Sequence, residues 1–150
     1  MIKYIIILYQ NRLSSKIMDK FPKDIRSKIM SKIKGKNTKP ELVVRKILHK
    51  AGYRYSLTYR FKGLNFRPDI VMVSRKTCVF VDGCFWHGCP RCYKKPKSNK
   101  KFWSEKIAKN IARDKRQNYY LRKNGWKVLR LWEHDVPYGS SKLLRKLKDK

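Results

Sequence analysis

Three cysteines, two aspartates and two histidines are the side chains on which chemistry in this sequence would turn. Cys84, Cys89 and Cys92 place three thiols on one short stretch, spaced Cys-x4-Cys-x2-Cys. Zinc takes four tetrahedral ligands from cysteine and histidine, so this spacing predicts a metal site with one partner still to be supplied. His134, just past an apolar run that ends at Trp132, is the best candidate. His87, inside the cysteine stretch, competes with it. Four protein ligands would leave no open position, which makes the expected zinc structural rather than catalytic. Cys78 lies before the cluster in an apolar run and reads as a small core residue.

The acids offer a second kind of chemistry. In Phe66-Arg67-Pro68-Asp69-Ile70-Val71 an aspartate sits among apolar residues, and twelve residues separate it from Asp82. If their strands are neighbours, both carboxylates lie at one sheet edge. They could gather Mg²⁺ there, which would activate a water and stabilise charge building on a phosphate. The structural alternative is a strand-end Asp69 satisfied by Arg67 or a backbone donor. His87 follows closely, and a side chain that titrates near neutral pH suits acid–base work on a phosphate; a loop or ligand histidine is the plainer reading.

These groups need a scaffold. The chain has 150 residues, enough for one domain with a core. Its 40 Lys+Arg against 10 Asp+Glu give a formal charge of +30, which a polyanionic partner would neutralise. An apolar fraction of 41% and an aromatic fraction of 13% exclude a disordered basic tail. Clustered cysteines without a convincing secretory signal point to a reducing, cytoplasmic setting. The apolar run Ile5 to Leu8 is far too short to span a bilayer. Met18 is a second plausible start, so the expected division is an N-terminal extension over 1–17 and one domain over 18–150.

Residues 23–34 are basic and weakly helical, with Ile25, Ile29, Met30 and Ile33 on one face. Thr38-Lys39-Pro40-Glu41 predicts a helix start with a capping box, Leu42, Val43, Ile47 and Leu48 its buried face, and Gly52 its stop. Three strands are expected, at Tyr53 to Leu57, Phe66 to Val73 and Thr77 to Asp82. A long helix over 102–124 follows, ended by Gly125, then a buried strand from Trp126 to Trp132. Pro137-Tyr138-Gly139 reads as a turn and Ser141 to Lys148 as a last helix. The residues 93–101 read as a solvated basic loop. This order predicts an α/β fold, a mixed sheet flanked by helices.

Taken together, the motifs resemble one family. Arg67-Pro68-Asp69, then Val79-Phe80-Val81-Asp82-Gly83-Cys84-Phe85-Trp86-His87-Gly88-Cys89-Pro90-Arg91-Cys92-Tyr93, look like the core of the very-short-patch-repair (Vsr) endonucleases. Pro96-Lys97-Ser98-Asn99, then Phe102-Trp103-x2-Lys106-x3-Asn110-x2-Arg113-Asp114, continue the match, and Gly125-Trp126-x-Val128-Leu129-x2-Trp132-Glu133-His134 closes it. With the segment from Arg26 to Glu41 included, the resemblance covers about residues 20–136.

The resemblance implies a reduced restriction-endonuclease-like core and an enzyme that nicks DNA beside the thymine of a T·G mismatch left by 5-methylcytosine deamination. It implies Asp69 as the acid that binds catalytic Mg²⁺, helped by the Val81 carbonyl, with His87 and Glu41 as further catalytic residues. Phe85, Trp86 and Trp103 match aromatics that wedge into the base stack, where a mismatched step opens more cheaply than a paired one. Cys84, Cys89, Cys92 and His134 match the structural zinc ligands. Arg67, Lys97, Lys106, Asn110 and Arg113, which stand in the matched motifs, are expected at the DNA surface. The expected partners are mismatched double-stranded DNA and mismatch-repair proteins, around a monomeric enzyme.

The chain departs from the family pattern in three places. Val81-Asp82 stands where the best-described members carry Thr-His; Val81 keeps the carbonyl, while Asp82 trades a proton carrier for a possible metal ligand. The last cysteine is shifted by one residue, and a histidine replaces the fourth cysteine. Two other classes compete: a nuclease of the same core that ignores mismatches, and a zinc-bearing nucleic-acid binder without catalysis.

Overall fold

The computed structural model describes residues 35–62, 64–136 and 140–148, with Pro22, Asp24, Ile25, Lys28 and Ser31 before them. The extension 1–17, the turn Pro137-Tyr138-Gly139 and most of the expected basic helix 23–34 lie outside the described residues. The chain divides into two compact units, Lys36–Tyr93 with Ile107–Lys150, and Met1–Gly35 with Lys94–Lys106. The first carries the sheet.

The elements run α1 (Lys39–Lys50), β1 (Ile70–Met72), a 3-10 turn (Val73–Arg75), β2 (Thr77–Asp82), α2 (Lys100–Lys123), β3 (Lys127–Trp132) and α3 (Ser140–Lys148). β2 is central, antiparallel to β1 and parallel to β3, so the sheet is mixed. The antiparallel pair closes through the short turn, with Lys76 in the left-handed region at φ 42°. The parallel pair needs a crossover, which α2 supplies. No described helix is long and apolar enough to cross a membrane.

Alternation along the strands sorts the core into two faces. Ile70, Met72, Val79 and Leu129 turn to one side and pack with Val44 and Leu48 of α1 and Leu143 and Leu147 of α3. Val71, Cys78, Phe80 and Val128 turn to the other, against Leu121 of α2, with Tyr59, Phe61, Phe66 and Trp126 around them. Arg75 fastens α3 by donating from Nη2 to the Leu147 carbonyl at 2.9 Å.

Helix α1 starts where its cap predicts, with Thr38 Oγ1 accepting from the Glu41 N–H at 3.4 Å and Gly52 beyond its end at φ 80°. Two details differ. The buried face is Glu41, Val44 and Leu48, while Leu42 and Val43 are 43% and 40% exposed. Leu42 and Val43 each lie about 100° around the helix from a neighbour that is apolar or buried, and packing on the sheet selected the Val44–Leu48 stripe. The Glu41 side chain also reaches one residue further back than a capping box requires, accepting from the Asn37 N–H at 2.8 Å.

The strands are shorter than expected. Tyr53 to Leu57 forms only an isolated bridge, Ser56 to Val71. The second strand begins at Ile70 rather than Phe66, because Pro68 brings no N–H to a ladder, and ends at Met72 where the tight turn takes over. β2 matches its expected span, and β3 begins one residue late.

Candidate active site and metal centre

The first site lies where β1 has stopped and β2 continues. Lys127 donates its N–H to the Lys76 carbonyl and Glu133 to that of Asp82, so the even-numbered residues of β2 turn their backbone groups to β3. The odd-numbered ones face β1, whose last paired residue, Ile70, stands opposite Val79. Val81 is therefore past the ladder, and the Asp69 carboxylate takes its N–H at 2.7 Å. In an extended strand the N–H and C=O of one residue point the same way, which turns the Val81 carbonyl toward the Asp69 side as well. Burial pushes the Asp69 carboxyl up to about 6, with the charges of Glu41 and Asp82 adding to the rise and the Val81 N–H and His87 opposing it. A buried carboxylate with two acids nearby is short of a cation, and hard oxygen donors suit Mg²⁺.

Glu41 is buried beside this group. Its carboxylate also accepts from Thr38 Oγ1 at 3.0 Å and pairs with Arg45 Nη2 at 3.0 Å, besides the Asn37 N–H.

On the α2 face, His87, Asp82 and Asp114 come together. His87 Nδ1 lies 2.6 Å from Asp114 Oδ2 and 3.5 Å from Asp82 Oδ1. Arg130 grips Asp82 with both arms of its fork, Nε to Oδ2 at 2.6 Å and Nη2 to Oδ1 at 2.7 Å. Burial alone would raise the Asp114 carboxyl, but the hydrogen bond to His87 and the charge of Arg130 outweigh it and hold it low. The expectation that Asp69 and Asp82 share one sheet edge thus acquires a distinction: Asp69 is tied to a backbone amide and Asp82 to a guanidinium.

The candidate metal centre is the loop after β2. Cys84, Cys89, Cys92 and His134 bring their donor atoms within 4.8 Å of one another. His134 Nδ1 lies 3.0, 3.8 and 3.3 Å from the sulfurs of Cys84, Cys89 and Cys92. A tetrahedral zinc with ordinary bond lengths separates its ligands by about 3.5–3.8 Å, so these residues fit the ion. His134 joins the cluster and His87 does not, which resolves the two candidates left by spacing. Burial pushes the Cys84 thiol up, and Cys78, buried in β2, up to about 12. His134 Nε2 approaches Asp135 Oδ1 at 3.1 Å without hydrogen-bond alignment.

The loop is fastened from three sides. Cys84 donates its N–H to Glu133 Oε1 at 2.7 Å, Cys89 donates to the Cys84 carbonyl at 2.9 Å, and Asn110 Nδ2 donates to the Trp86 carbonyl at 2.8 Å. Gly88 has φ 63°, and a Cβ there would come within 2.9 Å of Ile111 Cδ1 and 3.1 Å of Ile107 Cγ2. Gly88→Ala is expected to cost about 1–2 kcal/mol from the left-handed backbone, and more from the Ile107 branch methyl, which cannot yield as the Ile111 tip can. Thermal unfolding of the zinc-loaded variant measures it; an unchanged midpoint would show that the loop readjusts freely.

Phe85 and Trp86 are half-buried on this loop, their rings edge to face at 5.3 Å, with Tyr93 5.9 Å from Phe85. Trp103 belongs to the other unit, edge to face with an exposed Phe102 at 5.2 Å. Arg67, Lys97, Lys106 and Arg113 are exposed. Asn110, grouped with them in the sequence, is buried and donates its amide to the Trp86 carbonyl.

Sequence reasoning missed Arg130, Glu133 and Asp114 as members of the site. A signal for the last exists: the buried stripe of α2 runs Ile107, Asn110, Asp114, Gln117, Leu121. Polar residues at helical spacing between two apolar ones mark a face that meets polar groups.

Comparison with known proteins adds four findings. Residues 18–94 match the family model described as DNA mismatch endonuclease Vsr. The chain is 43% identical over 140 residues to type II nicking enzyme V.NmeAIP of Neisseria meningitidis, covering 87% of this chain and 97% of that one. It is 37% identical over 117 residues to the DNA mismatch endonuclease Vsr of Escherichia coli, covering 77% and 73%. Among solved structures, the catalytic domain of homing endonuclease I-Bth0305I superposes with a TM-score of 0.50 at 18% identity, covering 74% of this chain and 94% of that one. That likeness concerns the fold, and it agrees with the endonuclease-like α/β core expected from the sequence.

Proposed function

Since the chain belongs to the Vsr family of DNA mismatch endonucleases, we propose that it nicks double-stranded DNA beside the thymine of a T·G mismatch and so starts short-patch repair. The observation that carries this reading is the juxtaposition on one loop and one sheet edge. Asp69 and the Val81 backbone lie at the strand end, while Phe85, Trp86 and His87 follow three to five residues beyond Asp82.

Each group has work in this reaction. Asp69, the Val81 carbonyl and the charge of Glu41 form the oxygen-rich edge that would hold Mg²⁺. Bound there, Mg²⁺ would polarise the scissile phosphate and offset the charge that builds on it. His87 has Nδ1 committed to Asp114, which leaves Nε2 to accept the proton of the attacking water. Phe85 and Trp86 enter the base stack beside the mismatch, where unstacking costs least. Cys84, Cys89, Cys92 and His134 hold zinc as a staple for that loop. The charge of +30 draws the enzyme to phosphate and makes its affinity steeply salt-dependent.

The test is a nicking assay with Mg²⁺ on one labelled duplex carrying T·G and its T·A twin. Nicking of the thymine strand in the T·G duplex alone is the expected result. Equal cutting of both would keep the nuclease and remove the repair role.

A further inference from the structure

Asp82, His87 and Asp114 bring their donor atoms within 4.8 Å of one another, a grouping that would otherwise suit a metal ion. The cation already in place is the guanidinium of Arg130. Besides its fork on Asp82, Arg130 Nη2 reaches Asp114 Oδ1 at 3.3 Å. Nη1 donates to Asn118 Oδ1 at 3.1 Å, and the guanidinium lies 4.5 Å above the Phe80 ring. β3 and β2 set this up by register, since Arg130 stands opposite Phe80 and both point to α2. The guanidinium is thus held by two carboxylates, an amide and a ring, with its side chain only 19% exposed.

We propose that Arg130 is a positioning residue: by bridging Asp82 and Asp114 it aims Asp114 at His87 Nδ1 and so fixes the histidine with Nε2 turned out for chemistry. Two carboxylates this close and this buried repel unless a cation lies between them. Removing the guanidinium drives Asp114 off His87, and the imidazole loses both its orientation and its fixed tautomer. Lysine cannot replace the fork, because a point charge holds one carboxylate where the guanidinium spans two. Asp82, in this arrangement, serves as the anchor of Arg130 rather than as a second metal ligand. The effect on rate rests on the nuclease reading above; the effect on His87 does not.

The experiment compares the parent with Arg130→Met and Arg130→Lys, each zinc-loaded, by two readouts. The first is the downfield proton resonance of the His87 Nδ1–H, identified by its disappearance in His87→Gln. The second is nicking of the T·G duplex, with single-turnover rate separated from duplex affinity. The methionine variant should lose the resonance and slow about 10- to 100-fold, the range for partners that orient a working histidine, with affinity unchanged. The lysine variant should recover part of both. A folded Arg130→Met protein that keeps the resonance, or nicks at the parent rate, overturns the proposal. If the methionine variant does not fold, Arg130→Lys decides by the same criteria, full retention of rate and resonance overturning it. If the parent nicks no duplex, the nuclease reading fails while the resonance still decides the role of Arg130.

Discussion

Asp69→Asn is expected to abolish nicking, on the order of a thousandfold or more, while the protein stays folded and binds DNA as tightly as the parent or more so. The loss follows from removing the carboxylate that would hold the metal, whose charge stabilisation is worth several kcal/mol in the transition state. Affinity holds because one negative charge facing phosphate disappears. Asparagine keeps an oxygen for the Val81 N–H, now bonded at 2.7 Å, so the strand edge keeps its geometry. Measuring nicking with Mg²⁺ and binding without it separates the two; a variant that still nicks would remove Asp69 from the reaction.

The same substitution carries a stability signature. The Asp69 carboxyl is raised to about 6 from an ordinary value of 3.8, chiefly by burial. A carboxyl raised on folding works against the fold when ionised, so its cost is fully present above about pH 6 and is relieved as pH falls toward 4. Metal-free parent should therefore gain stability between pH 7 and pH 5 from this group, about 1 kcal/mol, and Asp69→Asn should not. Denaturant titrations of both at the two pH values give the comparison.

Loss of zinc is the second large effect. Cys84→Ser, or chelation of the parent, should release the metal, lower the melting temperature sharply and stop nicking. Structural zinc in small sites contributes on the order of 10 kcal/mol to folding, and this loop has little else. Its backbone hangs on Glu133 and Asn110. Cys78→Ala is the contrast, since Cys78 is buried in β2 among Val71, Phe80 and Leu121, outside the ligand group. It should keep its zinc and lose only packing. Elemental analysis with thermal unfolding reads both; reduced, zinc-free protein that melts and nicks like the parent would refute the staple.

What the sequence exposed, and what it hid, follows from how far each signal reaches along the chain. The start of α1, the span of β2 and the cysteine cluster depend on neighbours within a few residues, and each is where its spacing predicts. The choice of His134 over His87 depends on a contact across about fifty residues, which spacing alone could not decide. The buried side of α1 was misjudged because Leu42 and Val43 are as apolar as Val44, and the sheet chose among them. Arg130 was invisible for a similar reason. A lone basic residue in an apolar strand, in a chain with 40 Lys+Arg, carries no mark until Asp82 and Asp114 are seen beside it.

Phe85, Trp86 and His87 are consecutive, on a loop tied at both ends to the same cluster. Neighbouring residues are separated by under about 4 Å, so on the proposed function the stacking aromatics and the proton acceptor cannot drift apart. Under that proposal the loop is a ruler one base step long. The cut would fall beside the gap that the aromatics open, and changing the distance between damage and incision would require inserting residues between Trp86 and His87.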